Sequence, residues 1–207
     1  MNARSVGFAS LSTFALSLAL VGATPAQAAV TVYTASLNGG VEAPPNASPG
    51  TGSTIVTYDD VLHTLRVQVT FSGLLGTTTA SHIHAATTLP FTGTAGVATE
   101  TPTFGGFPLG VSAGSYDNLF NLTMASSFNA AFVTANGGTA AGAEAALAAA
   151  MNGGTSYLNI HSTSFRAGEI RGFLAPVPEP ATWMLMLAGF GVAGVALRRR
   201  RRRLALA

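Results

Sequence analysis

From Leu62 to Phe71 the chain alternates, with Leu65, Val67, Val69 and Phe71 on one side and Thr64, Arg66, Gln68 and Thr70 on the other. A period of two marks a half-buried strand, because successive side chains point to opposite faces of a sheet. Thr54 to Tyr58 reads as the strand before it, and Asp59-Asp60 suits the turn between them, so the pair predicts a hairpin. Val30 to Leu37, rich in Val, Thr and Tyr, predicts an earlier strand that Asn38-Gly39-Gly40 stops. Pro44, Pro45 and Pro49 make the connection after it an extended loop, since proline disfavours helix and interrupts strand ladders. Ser81-His82-Ile83-His84 predicts a further strand. Tyr157-Leu158-Asn159-Ile160-His161, within a strand from Thr155 to His161, pairs with Glu169 to Leu174 as a last hairpin.

The intervening segments carry other patterns. Residues 86–114 are rich in Gly, Thr and Pro and predict a long surface loop with one short strand, a kind of segment that is often functional. Tyr116 to Met124 gives a mixed signal. Ser127 to Ala135 predicts a short helix. Thr139 to Met151 predicts a better one, alanine-rich, capped by Thr139 and ended by Asn152-Gly153-Gly154. Short alternating strands with Gly/Pro turns and one helical insertion predict an all-β domain over residues 29–176. The expected form is a Greek-key β-sandwich, immunoglobulin-like or superoxide-dismutase-like.

Both ends differ from this middle. Residues 1–28 have Arg4, an apolar run from Val6 to Val21, then Pro25 and Ala26-Gln27-Ala28, the pattern of an export signal cut by signal peptidase after Ala28. At the other end, Val177-Pro178-Glu179-Pro180 is a rigid break. Ala181 to Leu197 is uncharged and apolar, with Trp183 near its start, and Arg198 to Arg203 follow. That order predicts a transmembrane helix over 181–197 with its arginines in the cytoplasm. The domain would then be anchored to the inner membrane on the periplasmic side.

The six terminal arginines also distort the net charge of +2. Between Ala29 and Val177 there are three arginines (66, 166, 171) against seven acids (42, 59, 60, 100, 117, 144, 169), a balance of −4. A nucleic-acid partner needs basic charge on the folded surface, so that class is excluded. The chain has no cysteine, which removes disulfides, thiolate metal sites and cysteine nucleophiles.

Two resemblances rest on particular residues. Val177-Pro178-Glu179-Pro180, the apolar run and the arginine run together resemble the PEP-CTERM sorting signal of Gram-negative bacteria, over residues 177–203. This implies an exosortase-type membrane protease as a partner, release to the envelope or extracellular matrix, and a host that makes exopolysaccharide. Residues 32–175 resemble the CHRD domain, the module named after chordin. The match is carried by Leu37, Gly40, Glu42, Pro44, Pro45, Gly52, Gly73-Leu74 and His82-Ile83-His84, then by Gly153, Tyr157, Asn159-Ile160-His161 and Gly168-Glu169-Ile170-Arg171-Gly172. The chain departs from that pattern at Ala85-Ala86-Thr87, where the family usually has a Gly-Pro turn. The family has no established catalytic activity, so the resemblance names a module without a reaction.

The candidate chemistry lies in the histidines. His82 and His84, two apart on a strand, share a face. With His161 alongside they would offer three nitrogen ligands, which suits Zn²⁺ or Cu²⁺ with an open fourth position. The spacing is similar to that of copper-zinc superoxide dismutase, without its second histidine-rich loop or its cysteines. The competing reading is a structural network in which the histidines bond Glu169, Asn159 or backbone, and Arg171 pairs with Glu169 or Glu42. His63, beside a turn, is the weakest ligand candidate. Gly110-Val111-Ser112-Ala113-Gly114 matches the nucleophile elbow, but that motif needs a strand-to-helix turn in an α/β sheet. No paired carboxylates suggest a glycosidase, so no catalytic residue is assigned. The leading expectation is a non-catalytic structural or interaction module contacting exopolysaccharide or surface proteins. The alternative is a Zn or Cu domain, with redox chemistry open to it.

Overall fold

The structure is a computed structural model that describes residues 30–178, 185–195 and 198. The export signal expected over 1–28, and Glu179 and Pro180 of the sorting motif, lie outside the described residues.

Eight strands form the core: β1 (Val30–Asn38), β2 (Thr51–Asp59), β3 (Thr64–Ser72), β4 (Thr78–His84), β5 (Gly114–Asn121), β6 (Tyr157–Ser162), β7 (Ile170–Phe173) and β8 (Ala175–Pro176). Every pairing is antiparallel, and the order across the sheet is β4-β6-β7-β1-β2-β3-β5, with β8 also on β1. The all-β expectation holds. The two separate sheets of a Greek-key sandwich do not appear, because β7 bonds to β1 and joins the two groups of strands into one curled sheet. That seam is narrow, a single register pair between Asn38 and Arg171. Gly172 permits it, since a Cβ there would collide with the Ser36 carbonyl of β1.

The predicted hairpin is present in full register from Thr51↔Ser72 to Asp59↔Thr64. Its inner face places Val56, Leu65, Val67, Val69 and Phe71 in the core with Tyr33 and Leu37 of β1. The segment that gave a mixed signal is strand β5, paired with β3 along its length. Asp117, Asn118 and Asn121 obscured it, and an edge position tolerates them because only one side of the ladder is used.

Two helices follow, α1 (Ala130–Ala135) and α2 (Ala140–Asn152). Thr139 caps α2 as expected, its hydroxyl accepting from the Gly142 N–H at 3.1 Å. Ala143, Leu147, Ala150 and Met151 bring α2 onto the core. Two tyrosines fasten it to the sheet: Tyr33 donates to Asn152 at 2.7 Å and Tyr58 to Glu144 at 3.0 Å.

Residues 185–195 are helical. The rest of the span expected over 181–197 lies outside the described residues, and among the described residues no helix is long and apolar enough to cross a membrane. The transmembrane helix, and the inner-membrane anchor and periplasmic orientation derived from it, are therefore left without structural support.

Candidate metal centre

The short strands β4, β6 and β7 build the site. Across them His82 faces Asn159, which faces Arg171, while His84 faces Tyr157, which faces Phe173. Residues facing one another on neighbouring strands share a side of the sheet. One side therefore carries His82, His84, Tyr157, Asn159, His161, Arg171 and Phe173. The other carries Ile83, Leu158, Ile160 and Ile170, all fully buried in the core. Ile83 thus packs into the core behind the two histidines.

The polar side is covered as well: His82 is only 7% exposed, His84 8% and Arg171 3%. The cover is the long loop between β4 and β5. It runs along the outer edge of β4, where the Ala98 N–H donates to the Ile83 carbonyl (2.9 Å) and the Ile83 N–H to the Thr99 hydroxyl (3.0 Å). Farther on, the Ser81 N–H donates to Thr103 Oγ1 at 2.9 Å and the Phe104 N–H to the Ser81 carbonyl at 3.0 Å. Buried Ala98 and Phe104 anchor the loop in the core. An otherwise open sheet edge is thereby closed.

Each imidazole spends one nitrogen on a loop carbonyl, two of them in this cover and the third between β6 and β7. His82 Nε2 lies 2.6 Å from the Pro102 carbonyl, His84 Nδ1 2.9 Å from that of Ala95, and His161 Nδ1 3.0 Å from that of Arg166. A carbonyl only accepts, so these three nitrogens carry the protons and the others hold lone pairs. Those others, His82 Nδ1, His84 Nε2 and His161 Nε2, are buried and have no hydrogen-bond partner among the described residues. The three side chains bring one ligand atom each to within 4.8 Å of one another. Their ring centres are 5.2 to 5.8 Å apart and the planes cross at 41° to 84°, so they surround a common point rather than stack.

Burial lowers the proton affinity of all three. His84 is pushed down to about 4 by desolvation, against the favourable Ala95 carbonyl, with His161, His82 and Arg171 adding charge repulsion. His82 is lowered by desolvation, against the Pro102 bond and with help from His161. His161 is lowered by desolvation against the Arg166 bond. Three neutral imidazoles with converging lone pairs can bind a cation without first losing protons. Tyr157 steadies the arrangement. Its ring stacks on His84 at 4.8 Å, and its hydroxyl bonds both the Ala95 N–H (3.2 Å) and the Ala95 carbonyl (3.3 Å).

The expected network is present but does not hold the histidines through side chains. Glu169 instead gathers loops, accepting from Ser48 Oγ at 2.6 Å and from the N–H groups of Leu75 (2.5 Å) and Gly76 (3.2 Å). Burial raises its pKa, but these bonds and one from Ser162 outweigh that and hold it below the ordinary glutamate value. Arg171 donates to the Val41 carbonyl at 2.6 Å and the Gly93 carbonyl at 3.0 Å, and lies 3.7 Å from Glu42. Glu42 is pushed up to about 7 by burial, with Arg171 pulling the other way. Asn159 Oδ1 and Glu42 Oε1 have no hydrogen-bond partner among the described residues, and both border Gly168. His63 stands apart from the trio, half-exposed and 3.0 Å from Glu144 of α2. Gly110 to Gly114 leads into strand β5 and not into a helix, so the elbow geometry is absent there.

Sequence reasoning named the three histidines and allowed them backbone partners, without saying which carbonyls those would be. The carbonyls of Ala95, Pro102 and Arg166 carry no side-chain signature. Tyr157 did carry one, since it lies four residues before His161 on the same strand face.

A CHRD domain family profile matches residues 33–174, and a PEP-CTERM protein-sorting motif matches residues 176–202. No curated protein and no solved structure matches the chain.

Proposed function

Because the chain belongs to the CHRD domain family and carries the PEP-CTERM motif behind it, it is an exported, envelope-associated, exosortase-sorted surface protein, and we propose that its folded domain is a three-histidine metal-binding module. One observation carries the proposal: three buried imidazole nitrogens, each left bare by a carbonyl on its ring's other nitrogen, have no partner among the described residues and belong to histidines whose ligand atoms lie within 4.8 Å of one another. Buried polar atoms are nearly always bonded, and three such exceptions at one point suit a ligand that accepts three lone pairs.

A purely structural role accounts for only half of each ring. The bonds to Ala95, Pro102 and Arg166 tie the loops down, as a framework role requires. That role would be served as well with the second nitrogens facing water or a donor. In metal centres a histidine ligand typically donates its other N–H to a carbonyl or carboxylate, which fixes the tautomer and ring angle. Ion–nitrogen bonds of about 2.1 Å put tetrahedral ligands about 3.4 Å apart, so the rings draw together slightly on binding.

The test is elemental analysis of the exported chain, purified without chelators or an affinity histidine tag, beside a His82→Ala/His84→Ala variant. About one zinc or copper per chain, lost in the variant, is expected. A wild-type chain that stays metal-free after incubation with both ions would return the histidines to a framework role.

A further inference from the structure

We propose that the centre is a copper site that takes the cuprous ion in preference to zinc. This rests on the three-histidine reading above and adds the identity of the ion. The first support is charge. The cluster consists of three neutral nitrogen donors and includes no carboxylate or thiolate. The charged group beside it is a cation: the Arg171 guanidinium sits 4.6 Å over the Tyr157 ring, which stacks 4.8 Å from His84. Glu42, 3.7 Å from Arg171, offsets that guanidinium and is not among the converging ligands. The cost of taking an ion out of water rises as the square of its charge, so a divalent ion costs about four times what a monovalent one does. With neutral ligands and a guanidinium nearby, that cost is recovered less fully for a divalent ion than for a monovalent one.

The second support is coordination number. Zinc completes a tetrahedron with a fourth protein ligand or with water. Here the protein offers three donors, and their tips are buried. A fourth ligand would have to enter a covered site, and the best one, an anion, would have to come from solution. A cuprous ion is satisfied by two or three nitrogen donors and needs neither. Among divalent ions the intrinsic order also sets copper above zinc at nitrogen sites. A cupric ion should therefore be held only together with an added small anion.

The experiment is a competition titration of the exported full chain. Cu⁺ is titrated under anaerobic, reducing conditions against a colorimetric cuprous chelator, and Zn²⁺ against a zinc chelator. The expected result is one Cu⁺ per chain with a dissociation constant at least about 100-fold below that for Zn²⁺. His63→Ala should leave it unchanged, because His63 pairs with Glu144 away from the cluster. Zinc bound as tightly as Cu⁺ by the same three histidines would overturn the copper preference and leave the metal reading standing. Neither ion bound would overturn both. Loss of Cu⁺ in His63→Ala would overturn the assignment to this trio.

Discussion

The two parts of the sheet share one construction on the inside and differ on the outside. In β1, β2, β3 and β5 the inner face is apolar and the outer face is open. β3 alternates buried and open positions along its length, and Ile55 and Leu119 stand 45% and 60% exposed on the outside. In β4, β6 and β7 the inner face is equally apolar, but the outer face is buried too. His82, His84, Asn159 and Arg171 are all under 10% exposed. Burying polar groups costs free energy unless each finds a partner. In this half the buried side-chain atoms left without a partner among the described residues include one nitrogen of each of the three histidines, together with Asn159 Oδ1 and Glu42 Oε1 beside them. The contrast singles out one face, where polar side chains are covered instead of being left in water.

The two halves should differ in some responses and agree in others. If the metal reading is right, saturating ion at about 1,000 times its dissociation constant should stabilise the wild-type chain by about 4 kcal/mol and the His82→Ala/His84→Ala variant by nothing, read as a shift in thermal midpoint. On the inner face the halves should respond alike: Leu65→Ala and Leu158→Ala, both at fully buried sites, should each cost about 2–5 kcal/mol in denaturant melts.

The third effect is a pH dependence confined to the covered face. Glu42 has its folded pKa raised from 4.5 to about 7, so its contribution is present below the unfolded value and lost as pH rises through the folded one. Wild type relative to Glu42→Gln should therefore lose roughly 3 kcal/mol between about pH 4.5 and 7.5. The histidines act in the opposite sense. Their lowered values give stability that is present above their unfolded value and lost as pH falls, for His84 down to about 4. Melts of both variants across this range separate the two limbs. The smallest effects compare outer positions. Gly168 has φ +139, and a Cβ there would meet Asn159 and Glu42 at 2.5 to 2.8 Å, so Gly168→Ala should cost about 1–3 kcal/mol. Leu119→Thr on the open face should change stability by less than about 0.5 kcal/mol.

The open half was the more legible from sequence, and for a physical reason. Its outer face meets water, so β2 and β3 show the polar alternation that marks a strand. The covered half lacks that alternation, and there the histidine spacing had to stand in for it. Spacing put His82 and His84 on one face and offered His161 as the third member, which the structure does bring beside them; of the two partners offered for Arg171, Glu169 and Glu42, it is Glu42 that lies within 3.7 Å. It left Glu169, Asn159 or backbone open as partners of the histidines; backbone carbonyls take that place, and Glu169 is spent on Ser48 and the N–H groups of Leu75 and Gly76. What spacing cannot encode is a backbone carbonyl arriving from a loop. Ala95, Pro102 and Arg166 fix the tautomers through atoms every residue possesses. The two-sheet expectation failed at an equally inconspicuous place, Gly172, where a missing side chain lets β7 reach β1.

Three lone pairs meet at one point only if the right nitrogen of each ring is unprotonated, and ¹⁵N–¹H correlation spectra of the histidine side chains read that directly. In the metal-free exported chain at neutral pH, His82 should be the Nε2–H tautomer, and His84 and His161 the Nδ1–H tautomers. On adding Cu⁺, the three bare nitrogens and no others should shift. A trio that is protonated at neutral pH, or a His82 carrying its proton on Nδ1, would contradict the claim that these carbonyls hold three lone pairs on a common point.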